Sequence, residues 1–310
     1  MDIEKEIKDR VKNVETAIEK YMPQEESLQK TVIDAMKYTM SAGGKRIRPM
    51  LMQAVYQLFG GESKVIEPFM AAIEMIHTYS LIHDDLPALD NDDYRRGRKT
   101  AHIVYGEAMA ILAGDSLLNY AYETASKTFS MIPFCSLEDR EAVKEELMVR
   151  RNLEYAMQIL SRKPGIYGMI GGQVADVELT GSRLNTDELA YIYKNKTGAL
   201  IEASMMIGAI LANAGNREIE KIEKIAYNIG MAFQIQDDIL DETATFEELG
   251  KPIHSDAKNE KVTYVTIHGI EDSEKEKKRL SQEAVVMLQS LHGDAEFLIG
   301  FVEYLIHRKN

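Results

Sequence analysis

The 310-residue chain is 45% hydrophobic and 28% charged, enough apolar material for a sizeable packed core. Its net charge of -13 excludes general nucleic-acid binding, which needs a basic footprint, and its single cysteine, Cys135, excludes an intramolecular disulfide. The charged start Met1-Asp2-Ile3-Glu4-Lys5 carries no apolar signal core, and the longest apolar stretches, near Met205–Ala212 and Phe69–Leu81, fall short of the roughly 20 residues of a membrane span, so a soluble, cytoplasmic protein without membrane insertion is expected.

In chain order, Ile3, Ile7, Val11, Val14 and Ile18 make the first helical stripe. The break Ala42-Gly43-Gly44 leads into the cationic run Lys45-Arg46-Ile47-Arg48-Pro49, and Gly60-Gly61 marks the next break. Phe69–His83 is apolar on nearly every face, which predicts a central buried helix, and it runs straight into Asp84-Asp85. The acidic stretch Asp84–Asp93 is followed at once by Arg95-Arg96-Gly97-Arg98-Lys99. Segment 132–152 is highly charged and reads as a surface connection with a solvated helix. Breaks at Pro164-Gly165 and Gly171-Gly172 precede the stripe Leu189, Ile192, Tyr193, Leu200 and Ile201. Apolar Met231, Phe233 and Ile235 then lead into Asp237-Asp238-Ile239-Leu240-Asp241, and Gly250-Lys251-Pro252 breaks the chain again. Neither an alternating strand pattern nor a solenoid repeat is present. The expectation is an all-α single domain over 1–310, with about ten helices.

Two acidic clusters carry the chemistry. Asp237 and Asp241 are four apart and share one helix face. Among apolar neighbours such a pair repels itself and is costly to desolvate, and a bound cation removes both costs. Asp84 and Asp90 lie about 240° apart on an ideal helix. Pro87 cannot donate to the carbonyl of His83 and is expected to bulge the helix, returning Asp90 to Asp84. An EF-hand fails here, since Tyr94 occupies a ligand position and Ala101 ends the window where Glu is needed. All-oxygen clusters with soft spacing suit Mg²⁺, which completes its shell with water and phosphate. Facing clusters that clamp a diphosphate through Mg²⁺ also reconcile an acidic protein with an anionic substrate. Direct cationic contacts are offered by Lys45, Arg46 and Arg48, beside Gly43 and Gly44 whose backbone N–H groups can approach an anion, and by the pair Arg95-Arg96. Lys196, Thr197, Gln234, Lys251 and Lys261 are weaker candidates, and His77 lies two turns before Asp84 along the same side.

In order along the chain, Gly-Gly-Lys-Arg-x-Arg-Pro (43–49), His-Thr-Tyr-Ser-Leu-Ile-His-Asp-Asp-Leu-Pro (77–87), Asp-Tyr-Arg-Arg-Gly (93–97), Ala-Gly-Asp-Ser-Leu-Leu (113–118), Gly-Gly-Gln-x-x-Asp (171–176), Lys-Thr-Gly (196–198) and Phe-Gln-Ile-Gln-Asp-Asp-Ile-Leu-Asp (233–241) resemble the trans-isoprenyl diphosphate synthases, most closely their bacterial farnesyl-forming members. The resemblance implies helices around a deep central cavity, a homodimer, and condensation of isopentenyl diphosphate with an allylic diphosphate. It implies Asp84, Asp90 and Asp237 as principal ligands of three Mg²⁺ ions, with Mn²⁺ a possible substitute and Asp85 and Asp241 in support. The catalytic group it implies comprises these five with Asp238, Arg95 and Lys196. Arg95, Lys196, Gln234 and Lys251 would contact the allylic diphosphate, and Lys261 is a further substrate-binding candidate in the lid-like loop that holds Lys251. Gly44, Lys45, Arg48, His77 and Arg96 would hold isopentenyl diphosphate, and Gln173 and Thr197 would line the reacting carbons. Ala113 stands where Gly is usual, and His254 and Val262 replace a Gly and a Ser/Thr of a lid-like loop.

Product length follows from helix geometry. A tail growing from Asp84 would run back along the Phe69–His83 helix, where Tyr79 and Ser80 lie roughly 6–8 Å below. A Tyr ring there favours a C15 product over C20 or longer. A terpene cyclase reading is opposed by Asp241, which stands where its motif carries Ser/Thr. A non-catalytic partner subunit is opposed by the retention of both acidic clusters.

Overall fold

The structure is a computed structural model describing residues 1–24, 27–243 and 261–307. It is all-α, as the stripes predict. In order come α1 (Ile3–Tyr21), α2 (Lys30–Met40), α3 (Ile47–Leu58), α4 (Glu67–Asp84), α5 (Ala101–Tyr105), α6 (Glu107–Ser126), α7 (Arg140–Arg162), α8 (Met169–Leu179), α9 (Thr186–Ile192), a π segment (Tyr193–Gly198), α10 (Ala199–Leu211), α11 (Asn216–Thr243), α12 (Tyr264–His268), α13 (Ile270–Gln289) and α14 (Glu296–His307). Capping sets several starts. Asp2 accepts from the Lys5 N–H at α1, and Asn185 with Glu188 forms a reciprocal capping box at α9. One departure from the sequence expectation is a two-residue antiparallel hairpin, Tyr94–Arg95 with Arg98–Lys99, around the Arg96-Gly97 turn. It is too short to leave an alternating pattern.

Helix α4 is the centre. Phe69, Met70, Ile73, Met75, Ile76 and Ile82 are among the largest fully buried side chains, and α6, α3, α10 and α1 pack around it. The stretch Lys64–Asp84 is long and apolar enough to cross a membrane, which corrects the expectation that every apolar stretch falls short; 72% of its most apolar window is buried inside the protein. A second, smaller core joins Leu189, Ile192, Tyr193, Met231, Ile235, Ile239, Val265 and Leu280, where α9, the π segment, α11, α12 and α13 meet. The charged segment 132–152 contains the start of α7, whose buried side chains, Leu153, Ala156, Ile159 and Leu160, all lie in its second half.

Candidate active site

A cavity of about 590 Å³ opens beside the end of α4 and draws its wall from both cores. Asp84 and Asp90 of the first acidic cluster line it together with Asp237 and Asp238 of the second. Asp90 does return to Asp84, but not through a bulged helix. Helix α4 stops at Asp84 with Asp85 as its C-cap, as expected two residues before a proline. The chain then turns so that the Asp90 N–H donates to the Asp84 carbonyl at 2.9 Å.

The Asp84 carboxylate accepts from Gln173 Nε2 at 2.8 Å. Burial holds its pKa above the ordinary value; Lys196 opposes this and Asp90 adds to it. Asp85 is 3% exposed and faces Arg95, whose Nε and Nη2 lie 2.7 and 2.6 Å from its Oδ1. Burial likewise raises Asp85, against the pull of Arg95. On α11, Asp237 is half-buried on the cavity wall, whereas Asp241 is 4% exposed one turn further on.

The cations separate into two tasks. Arg46, in left-handed backbone conformation, turns inward: its guanidinium reaches Glu15 and Glu74 at 2.7 Å and the Met40 carbonyl at 2.6 Å. Lys45, Arg48, His77 and Arg96 line the cavity, and Arg46 and Glu74 border it as well. The Arg48 Nε–H is buried without a hydrogen-bond partner. Burial brings its pKa down to about 10, with Glu74 opposing and Arg96 reinforcing. His77 is pushed well below its ordinary pKa by burial and by the surrounding arginines, so it is neutral at pH 7. Gly44 gives Arg96 its place, because a Cβ there would lie 2.5 Å from Arg96 Nη1. Arg96 in turn donates to the Gly43 carbonyl.

Lys196 and Thr197 sit on the π segment, a form of helix found mostly at functional sites. Gly172 of α8 admits that segment, since a Cβ there would lie 2.2 Å from the Lys196 nitrogen. Lys196 Nζ donates to Asp176 at 2.6 Å, and Lys261 Nζ lies 3.7 Å from Asp176 and 3.6 Å from Asp90. Thr197 Oγ1 donates to Gln234 Oε1 at 2.9 Å. Sequence reasoning gave Asp176 no role, although it closes the Gly-Gly-Gln-x-x-Asp landmark that could have flagged it. It also missed Tyr193, Glu74 and Glu15. Tyr79 is 6% exposed, edge-on to His83 at 5.8 Å, and Ser80 donates to the His77 carbonyl; neither lines this cavity. Lys251 and His254 lie outside the described residues.

A sequence profile of the polyprenyl synthetases matches residues 29–294. The chain belongs to the polyprenyl synthetase family. It is 42% identical over 264 residues to farnesyl diphosphate synthase of Geobacillus stearothermophilus, covering 85% of this chain and 84% of that one. It is 42% identical over 280 residues to geranylgeranyl diphosphate synthase of Cyanophora paradoxa, covering 90% and 88%. Among solved structures, a geranyltransferase from Legionella pneumophila aligns with a TM-score of 0.83 at 30% identity, covering 99% and 97% of the two chains. An FPP/GFPP synthase from Zymomonas mobilis aligns at 0.81 and 27%, covering 98% and 99%. The fold is that of the isoprenoid synthases, and the polyprenyl synthetase described here is a prenyltransferase, a short-chain trans-prenyl diphosphate synthase. Its family takes isopentenyl and allylic diphosphates and uses divalent metal ions.

The residues fit such an ion. Among the described residues no group of three or more His, Cys, Asp or Glu could by itself hold a metal. The half-buried Asp84, raised in pKa by burial and by Asp90, is stabilised as an anion by added positive charge. Carboxylates too sparse to form a closed cage suit an ion that keeps waters and shares substrate oxygens, which is the habit of Mg²⁺.

Proposed function

We propose that this synthase joins isopentenyl diphosphate to dimethylallyl and then geranyl diphosphate, releasing diphosphate and making the C15 product farnesyl diphosphate. The observation that carries the reading is a single cavity whose wall holds carboxylates of both acidic clusters and a group of cations including Arg48, with its buried, unpartnered Nε–H. Asp84, Asp90 and Asp237 would hold Mg²⁺, three ions in all, with Asp85 and Asp241 in support. When bound, Mg²⁺ neutralises charge developing on the leaving phosphate oxygens.

The protein's own groups do the rest. Lys196, Arg95, Gln234 and Lys261 bind and orient the allylic diphosphate, the lysines exchanging Asp176 and Asp90 for phosphate. Gly44, Lys45, Arg48, His77 and Arg96 bind isopentenyl diphosphate, with neutral His77 adding a hydrogen bond rather than charge. Gln173 and Thr197 flank the reacting carbons. Leu81, Leu189, Ile192 and Phe233 give the wall apolar surface that keeps water from an allylic cation. Ile103, Val104, Ile111 and Leu112 expose 42–46% of their surface on α5 and α6, which supports a homodimer. Sedimentation at micromolar concentration is expected to give twice the 35.1 kDa chain mass.

The test supplies labelled isopentenyl diphosphate with dimethylallyl, geranyl or farnesyl diphosphate and Mg²⁺, and sizes the products. C15 is expected from the first two starters and little extension of the third. Chelation with EDTA should abolish turnover, and added Mg²⁺ should restore it; activity that survives chelation would remove the metal from the scheme.

Tyr79 is the proposed floor of the tail path. Its ring is buried on α4, and its hydroxyl, pushed up to about 12 by burial, has no partner. Tyr79→Ala removes the ring and is expected to lengthen the main product to C20 or beyond; an unchanged C15 product excludes Tyr79 as the stop.

A further inference from the structure

Asp237 and Asp238 are adjacent on α11, so their side chains leave the helix about 100° apart. Both border the cavity, Asp237 half-buried and Asp238 only 2% exposed, and among the described residues the Asp238 carboxylate is engaged by three donors from three elements. Tyr193 of the π segment donates its hydroxyl to Oδ2. The backbone N–H of Tyr264, the first residue of α12, donates to the same oxygen at 2.9 Å and lies 3.1 Å from the Tyr193 hydroxyl. Gln234 Nε2, one turn back on α11, donates to Oδ1 at 3.2 Å.

Each donor leads back to a cation of the site. Gln234 accepts from Thr197, the neighbour of Lys196. Tyr264 follows Lys261 by three residues, and the Thr263–Thr266 capping box fixes the start of α12 at that point. Lys196 and Lys261 then converge on Asp176, at 2.6 and 3.7 Å. The contacts close a ring: one buried carboxylate on α11 fixes the π segment and the start of α12, and through them the two lysines that meet on the far side.

We propose that Asp238 is a positioning residue that holds Lys196 and Lys261 at the separation a diphosphate requires, acting through Tyr193, Gln234 and the Tyr264 N–H rather than by touching metal or substrate. It thus differs in task from Asp237, although the two are neighbours in one motif. The inference rests on the proposed reading of the cavity as a diphosphate site.

The test compares wild type with Asp238→Ala, Asp238→Asn, Tyr193→Phe and Asp237→Asn. Two quantities are read: calorimetric affinity for inorganic diphosphate at saturating Mg²⁺, and the Mg²⁺ dependence of condensation with geranyl diphosphate. Asp238→Ala is expected to weaken diphosphate binding about tenfold or more, the usual loss on removing an orienting partner behind a site. Its half-maximal Mg²⁺ concentration stays within about twofold of wild type, because no metal ligand is lost. Asp238→Asn restores most of the affinity, since its oxygen accepts from Tyr193 and Tyr264 while its amide meets a flipped Gln234. Asp237→Asn instead shifts the Mg²⁺ requirement. Tyr193→Phe weakens diphosphate binding and adds nothing to Asp238→Ala, as for members of one network.

A Mg²⁺ requirement in Asp238→Asn that moves as far as in Asp237→Asn overturns the proposal. So does wild-type diphosphate affinity in Asp238→Ala. If Asp238→Ala does not fold, Tyr193→Phe decides, and unchanged affinity there overturns it. Failure of the wild type to condense the two substrates refutes the proposed reaction alone, and the diphosphate arm still tests Asp238.

Discussion

Asp237→Ala is expected to lower kcat by about a thousandfold or more, the scale of losing preorganised charge stabilisation at a leaving group. Asp237 projects from α11 at the cavity wall between Gln234 and Asp241, and its proposed work is to hold a divalent ion against the departing diphosphate. Stability should not fall with activity. Alanine has the higher intrinsic helix propensity, which favours a folded variant. The measurement is steady-state turnover beside a thermal melt. A variant that melts like wild type and has lost activity assigns Asp237 to the chemistry. A variant that melts like wild type and keeps near-normal turnover removes the second acidic cluster from the mechanism. Raising Mg²⁺ is expected to recover only part of the rate, because the proposed role of the missing oxygen is that of a ligand and not merely of a local charge.

The acidic clusters were legible because their information is local. Four-residue spacing puts Asp237 and Asp241 on one face whatever surrounds them, and an all-apolar Phe69–His83 has to be buried. The conformation after Asp84 was half legible. Pro87 announces that regular helix cannot continue, but bulging and terminating satisfy that constraint equally, and the Asp90 N–H to Asp84 carbonyl bond selects termination. The cationic run was legible as a run and not as individual side chains. Arg46 and Arg48 look equivalent in sequence. Both border the cavity, but the arrival of Glu15 and Glu74 from α1 and α4 ties up the Arg46 guanidinium, whereas the Arg48 Nε–H is left without a partner. The π segment had no signature either, since Tyr193–Gly198 reads as ordinary helix, and its widened turn is accommodated by close approach at Gly172. For Arg46 and the π segment the missing information was a partner far away in sequence, whereas after Asp84 it was a choice between two local conformations.

Arg48→Met is expected to raise KM for isopentenyl diphosphate by about a hundredfold, the cost of removing a charge-assisted contact to phosphate in a desolvated pocket. KM for geranyl diphosphate should change by about twofold or less, because Lys196 and Lys261, the cations proposed for the allylic diphosphate, are tied to Asp176 and Asp90 rather than to Arg48. The stability change should have the opposite sign to the activity change. Arg48 keeps a buried Nε–H without a partner, and burial lowers its pKa to about 10, so the free enzyme bears a desolvation cost that methionine removes. Arg48→Lys is expected to restore little of the affinity, since an ammonium cannot reproduce the planar fork beside His77 and Arg96. An equal rise in both KM values would mean that Arg48 shapes the whole cavity rather than one half of it. A melting temperature that falls together with affinity would mean that the guanidinium is already satisfied before any phosphate arrives.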